Sequence, residues 1–193
     1  MHTTIRSLAC AGVALLAAVP ATLSAQLTPA QSVPAPANER VELTELQEVQ
    51  KLMAAGQLKA ALARADEQLV KNPRNAQMRF VRGVILTEMK DTDAAREAFE
   101  RLNQDFPELP EPYNNLAVLA AAQGELDRAR ALLEAALSAR PDYATALENL
   151  GDIHLQMSAD AYQRAARLQP ANRALGSKLS LTRELIARTR TTP

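Results

Sequence analysis

An all-α fold built from repeated helical hairpins is what this sequence predicts, and three observations carry the prediction. The first is composition: 38 of 193 residues are alanine, against 6 glycines, 3 phenylalanines, 3 tyrosines and no tryptophan. Alanine is the strongest helix former, whereas a sandwich or barrel needs β-branched and aromatic residues punctuated by glycine turns. The second is a period. Pro73, Pro107 and Pro141 stand 34 residues apart, as do Ala61, Ala95 and Ala129 and the small residues Gly83, Ala117 and Gly151. Gly56 and Gly124 are two periods apart, with Lys90 between them. The third is the phase within a period. From Pro110, apolar residues recur at Tyr113, Leu116, Ala117 and Ala120, break at Gln123-Gly124, and resume at Leu126, Ala129, Leu132, Leu133, Ala136 and Leu137. That is helix, turn, helix, and Pro141 stops the second helix because it lacks an N–H and restricts the residue before it.

The chain begins with one charge, Arg6, and then twelve uncharged, mostly apolar residues from Leu8 to Val19. As a helix this run is about 18 Å long, too short for a hydrocarbon core of about 30 Å. With Leu23-Ser24-Ala25 before Gln26 it reads as a signal peptide, 1–25, cut after Ala25, with an alternative cut after Ala21. The expected localisation is therefore exported, in the periplasm. Cys10, the single cysteine, lies inside this segment; only nine residues precede it and the apolar run mostly follows it, which argues against a lipidation signal. Cleavage leaves a mature chain without cysteine, so disulfides and cysteine catalysis are not expected. Residues 26–40 hold Pro29, Pro34 and Pro36 among small and polar residues, a composition for a flexible leader rather than an apolar helix face.

Small residues such as Gly83 and Ala95 are placed for close approach of antiparallel helices, with Phe99 and Leu133 filling the space between neighbouring pairs. On these residues the sequence resembles the tetratricopeptide repeat family. Repeats at 42–75, 76–109 and 110–143 follow from the resemblance. The third is the cleanest, and the first carries Glu48 and Val49 where the family usually has leucine and glycine. The implied architecture is a right-handed α-α superhelix over residues 41–190. The fourth unit, 144–172, is shortened: Tyr162, Ala165 and Pro170 arrive five residues early and no glycine turn is present. Apolar or small residues continue through Leu147, Leu150, Met157, Ala161, Ala165 and Leu168, which predicts one helix over about 144–168; the alternative is a tight turn with Ser158 capping a second helix. A final amphipathic segment, 173–189, places Leu175, Leu179, Thr182 and Ile186 on one side, with Leu185 near it. It resembles the helix that caps such arrays, covering an apolar face that a terminal repeat would otherwise expose.

The chemistry of the sequence points away from catalysis. The 22 basic and 22 acidic residues cancel and 47% of the residues are hydrophobic, which excludes a generic nucleic-acid binder, an acidic disordered protein and a multispanning membrane protein. No nucleophile-elbow, phosphate-loop, dinucleotide or zinc-protease motif occurs. After cleavage His154 is the remaining histidine, expected as a packed residue between the helices of its repeat rather than a base beside Asp152 or Glu148. The acids Asp91, Asp93, Glu97 and Glu100 suit helix capping and a solvated face. Neither a metal, a cofactor nor an enzymatic activity is expected.

In the family, the first helix of each repeat lines a concave trough that holds a partner protein or peptide. The resemblance places Leu43, Leu46, Gln50, Met53 and Ala54 there from repeat one, and Gln77, Phe80, Val84, Thr87 and Glu88 from repeat two. Repeat three gives Glu111, Asn114, Val118, Ala121 and Ala122, and the fourth unit Thr145, Glu148, Asp152, Leu155 and Gln156. The first half is apolar and the second acidic. The set contains no Lys or Arg, so the carboxylate clamp of chaperone-binding members is not expected. Residues 26–163 hold 14 basic and 21 acidic groups, net −7, whereas 164–193 hold seven basic against one acidic, net +6. The expected function is non-enzymatic protein binding in a cell-envelope assembly, with membrane contact peripheral at most. The alternative is a self-associating subunit, its basic C-terminal helix docking on the acidic trough of a second copy.

Overall fold

The computed structural model describes the backbone of residues 37–189 and the side chains of 45–188. The signal segment 1–25 with its cleavage sites and Cys10, and the leader as far as residue 36, lie outside the described residues. Eight helices follow one another: α1 (Ala37–Ala54), α2 (Leu58–Lys71), α3 (Ala76–Glu88), α4 (Thr92–Asp105), α5 (Pro110–Ala122), α6 (Leu126–Ala139), α7 (Ala144–Leu168) and α8 (Arg173–Thr189). No strand occurs among the described residues. Helix α1 starts earlier than the leader's expected end at residue 40, since 37–40 carry no proline and are already helical.

The turns inside the first three pairs are the same turn. The amides of Gln57, Asp91 and Glu125 donate to the carbonyls of Leu52, Leu86 and Ala120 at 2.9, 3.0 and 3.0 Å, each five residues back. That bond needs a left-handed residue just before it, supplied by Gly56 (φ 71°), Lys90 (φ 66°) and Gly124 (φ 79°). The turns between units are equally uniform. Asn72, Phe106, Arg140 and Gln169 each precede a proline, leave the helical region with ψ between 67° and 98°, and donate to the carbonyl four residues back.

Packing in the second and third units depends on a small residue in the middle of the first helix, where α1 instead buries Val49. Gly83 of α3 lies under Phe99 of α4, whose ring carbon would stand 2.5 Å from an added Cβ. One period on, Ala117 of α5 is buried in a cluster with Ala129, Leu133 and Ala136 of α6 and Ala146 and Ile153 of α7. Phe99 also joins a cluster with Leu116 and Leu119 of α5, so it seals both its own pair and the junction with the next.

The fourth unit differs. Helix α7 runs unbroken for 25 residues, about 37 Å. Without a turn it has no second helix of its own, and α8 packs elsewhere. Ile186, Ala187 and Arg183 of α8 share a crevice with Gln156, Ala159 and Gln163 of α7. Arg183 donates to the Gln163 side-chain oxygen at 3.3 Å, and the Lys178 ammonium stands 5.6 Å from the Tyr162 ring centroid. Thr182 is buried, with Leu175, Leu179 and Ile186 partly so, while Leu185 is exposed. The α7 face that earlier units bury is therefore open, and Gly151 has no atom within 4 Å of an added Cβ. This corrects the expectation for His154: it is exposed, because the helix that would have packed over it does not exist.

Two glycines one double period apart thus respond oppositely to the same change. Gly83→Ala is expected to destabilise by about 1–3 kcal/mol through overpacking. Gly151→Ala is expected to stabilise by roughly 0.5–1 kcal/mol through helix propensity alone. Urea or thermal unfolding of the two variants checks the signs.

Candidate functional site

The first helices α1, α3, α5 and α7 carry the positions that the sequence places in the trough. Gln50 and Met53 on α1 are partly exposed, as are Phe80, Val84 and Thr87 on α3, while Gln77 is exposed. Phe80 leans on Phe99 with centroids 5.7 Å apart, which fixes its ring at the border between core and surface. Thr87 donates its hydroxyl to the Gly83 carbonyl of its own helix at 3.0 Å, so it leaves little polar character to this apolar stretch. On α5, Glu111 and Val118 are partly exposed.

Several expected residues do not line a trough. Leu46 is 7% exposed and packs with Val49, Ala61, Ala65 and Met78, because α1 turns that side toward α2 and α3. Ala121 is fully buried. Asn114 is 4% exposed, and its side-chain oxygen accepts from the equally buried Asn149 amide at 2.8 Å. This pair ties α5 to α7 through the core, one period plus one residue apart. The sequence held a signal for it in the asparagines at 114 and 149, but only the packing of α7 brings them together. The side chain of Leu43 lies outside the described residues.

The electrostatics divide the positions that the sequence places in the trough. Glu111 accepts from Arg140 at 2.9 Å, and Arg140 also lies 5.2 Å from the Tyr143 ring centroid, so this carboxylate is neutralised. Glu148 and Asp152, four residues apart on α7, make no ion pair among the described residues. Partial burial of Asp152, followed by repulsion from Glu148, holds its carboxyl above the usual carboxylate range. The other acids are placed as the sequence suggests: Asp91 caps α4 by accepting from the Ala94 amide at 3.3 Å, and Glu97 and Glu100 pair with Arg101 and Arg128. No group of three His, Cys, Asp or Glu among the described residues is arranged to hold a metal ion.

Known proteins with the same architecture can be set beside this geometry. Two tetratricopeptide repeat family models match, one over residues 46–110 and the other over 86–150. The chain is 25% identical over 134 residues to the tetratricopeptide repeat domain-containing protein PYG7, chloroplastic, of Arabidopsis thaliana. That match covers 65% of this chain and 44% of the relative, so the chain spans less than half of that protein's length. Among solved structures, the first tetratricopeptide repeat domain of Spaghetti (RPAP3) bound to an HSP90 peptide is similar, with TM-score 0.54 and 16% identity, over 60% of this chain and 91% of that one. MamA is similar with TM-score 0.52 and 19% identity, over 74% and 85% of the two chains. At these identities the structural likeness speaks for the fold.

Two measurements follow from the site. Asn149→Ala leaves the Asn114 oxygen buried without its donor and is expected to cost about 1–3 kcal/mol; Asn114→Ala with Asn149→Ala together is expected to cost less than the sum of the two single changes. Thermal unfolding of the four-member cycle checks it. For Asp152, the raised folded-state value means that the native chain holds the proton more tightly than the unfolded one. Stability therefore falls as pH rises from the ordinary carboxylate range through the folded-state value, and Asp152→Asn is expected to flatten that slope in melts taken stepwise from acid to neutral pH.

Proposed function

Because this is a chain of tetratricopeptide repeats, we propose that it is a non-catalytic binding module whose trough holds an extended or helical segment of a partner protein. The observation that carries this reading is the division of the trough: an apolar stretch around Met53, Phe80, Val84 and Thr87, and beyond it Glu148 and Asp152, which make no ion pair among the described residues. A segment with apolar side chains at one end and a lysine or arginine at the other fits both. The cation relieves the Glu148–Asp152 repulsion, a gain that no neutral ligand offers. The similar domain of Spaghetti was solved with the peptide SRMEEVD, which ends in acidic residues. This trough has no Lys or Arg at its mapped positions and favours the opposite charge.

The N-terminal pattern of Arg6, the Leu8–Val19 run and Ala25 supports an exported chain that works in the periplasm, within a cell-envelope assembly. Sequencing the N-terminus of the accumulated protein tests this directly: Gln26 or Thr22 is expected, and Met1 contradicts it.

The binding reading is tested by photo-crosslinkers placed one at a time at Phe80, Thr87 and Glu148, with Arg130 on α6 as the control, followed by mass spectrometry of the captured protein. One partner is expected from the three trough positions and none from the control. The double change Glu148→Gln with Asp152→Asn is expected to weaken capture from Phe80 roughly five- to tenfold, the scale of about 1 kcal/mol for a partly exposed charge contact. Equal capture at Arg130, or capture indifferent to the double change, contradicts the proposal.

A further inference from the structure

The open side of α7 is a seat made for a helix. Position by position along the 34-residue period, Gly83 is buried beneath Phe99, Ala117 is 2% exposed, and Gly151 is exposed with nothing near it. The next turn behaves the same way: Leu86 and Ala120 are each 3% exposed, while His154 is exposed. Leu147, on the same stripe, is 51% exposed. Leu147, Gly151, His154 and Ala161 recur at helical spacing and share one side of α7. The core takes a second side through Ala146, Asn149 and Ile153, and α8 takes the third through Gln156, Ala159 and Gln163.

The chain also carries the helix to fill that seat. Outside its packed stripe, α8 shows Leu181 at 60% and Leu185 at 41% exposure, one turn apart. At about 100° per residue on two antiparallel right-handed helices, Leu181 and Leu185 face the same side of the hairpin as Leu147 and Gly151, with the Lys178–Tyr162 contact between the two stripes. Charge agrees with the fit. From residue 164 onward α7 and α8 carry Arg164, Arg167, Arg173, Lys178, Arg183 and Arg188 against Glu184, while the part of α7 that holds the open face, 144–163, carries Glu148, Asp152 and Asp160 and no Lys or Arg.

We infer that a second copy of this chain docks here: α8 of one copy lays Leu181 and Leu185 into the open α7 face of the other, and the reverse contact forms at the same time. Both surfaces lie on one side of one hairpin, so a two-fold axis satisfies both and closes the assembly as a dimer. This contact replaces the expected docking of the basic helix on the trough, which stays open, and it stands without the trough reading.

Sedimentation of the full chain from about 1 to 100 µM, a range that brackets a modest interface, tests the dimer. The mass is expected to rise from one to two monomer masses. Leu181→Asp with Leu185→Asp, and separately Gly151→Arg, are each expected to hold it at one, while Val70→Asp at an exposed apolar site on α2 leaves it unchanged. Gly151→Arg keeps the test sound if the α8 change disturbs folding, because its side chain enters open space and favours helix. A monomer throughout, a dimer that survives Gly151→Arg, or a mass climbing past two copies overturns the inference.

Discussion

Phe99 lies so close over Gly83 that a single added carbon would stand 2.5 Å from its ring, and this closeness joins α3 to α4 and, through Leu116 and Leu119, to α5. A helix pair that closes over a small residue presents a flat, apolar flank to the next pair, so each unit buries what its neighbour leaves exposed. The same contact holds Phe80 at the edge of the core, partly exposed, through the ring contact with Phe99. The repeated left-handed turns at Gly56, Lys90 and Gly124 return the chain at the angle this closure needs. Lys90 adopts there a backbone that disfavours side chains, a local strain the packed pair around it sustains.

The end of the array shows what happens when the closure is missing. Five residues fewer in the fourth unit remove the turn, and α7 then continues as one rod. Two consequences follow from one cause. The helix α8 seats itself on the side of α7 that carries Gln156, Ala159 and Gln163. The side that α7 should have buried against its own second helix is left to solvent, with His154 and Leu147 on it. Glu148 and Asp152 lie on the same helix, where Asp152 feels partial burial and neither makes an ion pair among the described residues.

The parts of this fold that repeat were legible in the sequence, because a residue rare in the chain marked each of them. Prolines gave the unit boundaries, Gly83 and Ala117 the close approaches, and the early arrival of Pro170 the unbroken α7. What was not legible depended on where a helix goes after it forms. The periodic pattern assigned His154 to a packed slot because it describes a complete repeat, and nothing in the order of residues says which face of α7 receives α8. The trough suffered in the same way: Leu46 and Asn114 occupy the right register but are drawn into the core, Asn114 by a partner 35 residues away. Phe80, Val84 and Thr87 stay partly exposed on α3, because nothing in the core draws them in.

The continuity of α7 underlies the seat of α8 and the open face alike, and a distance along the helix measures it. Spin labels at Glu148→Cys and Arg167→Cys, in a chain with Cys10→Ser, lie 19 residues apart on one rod, a backbone separation of about 28 Å by pulsed electron resonance at dilution. A separation near 28 Å is the predicted result. A value near 10 Å, the spacing of two antiparallel helices in contact, would mean that the fourth unit folds back as an ordinary hairpin and would contradict both conclusions.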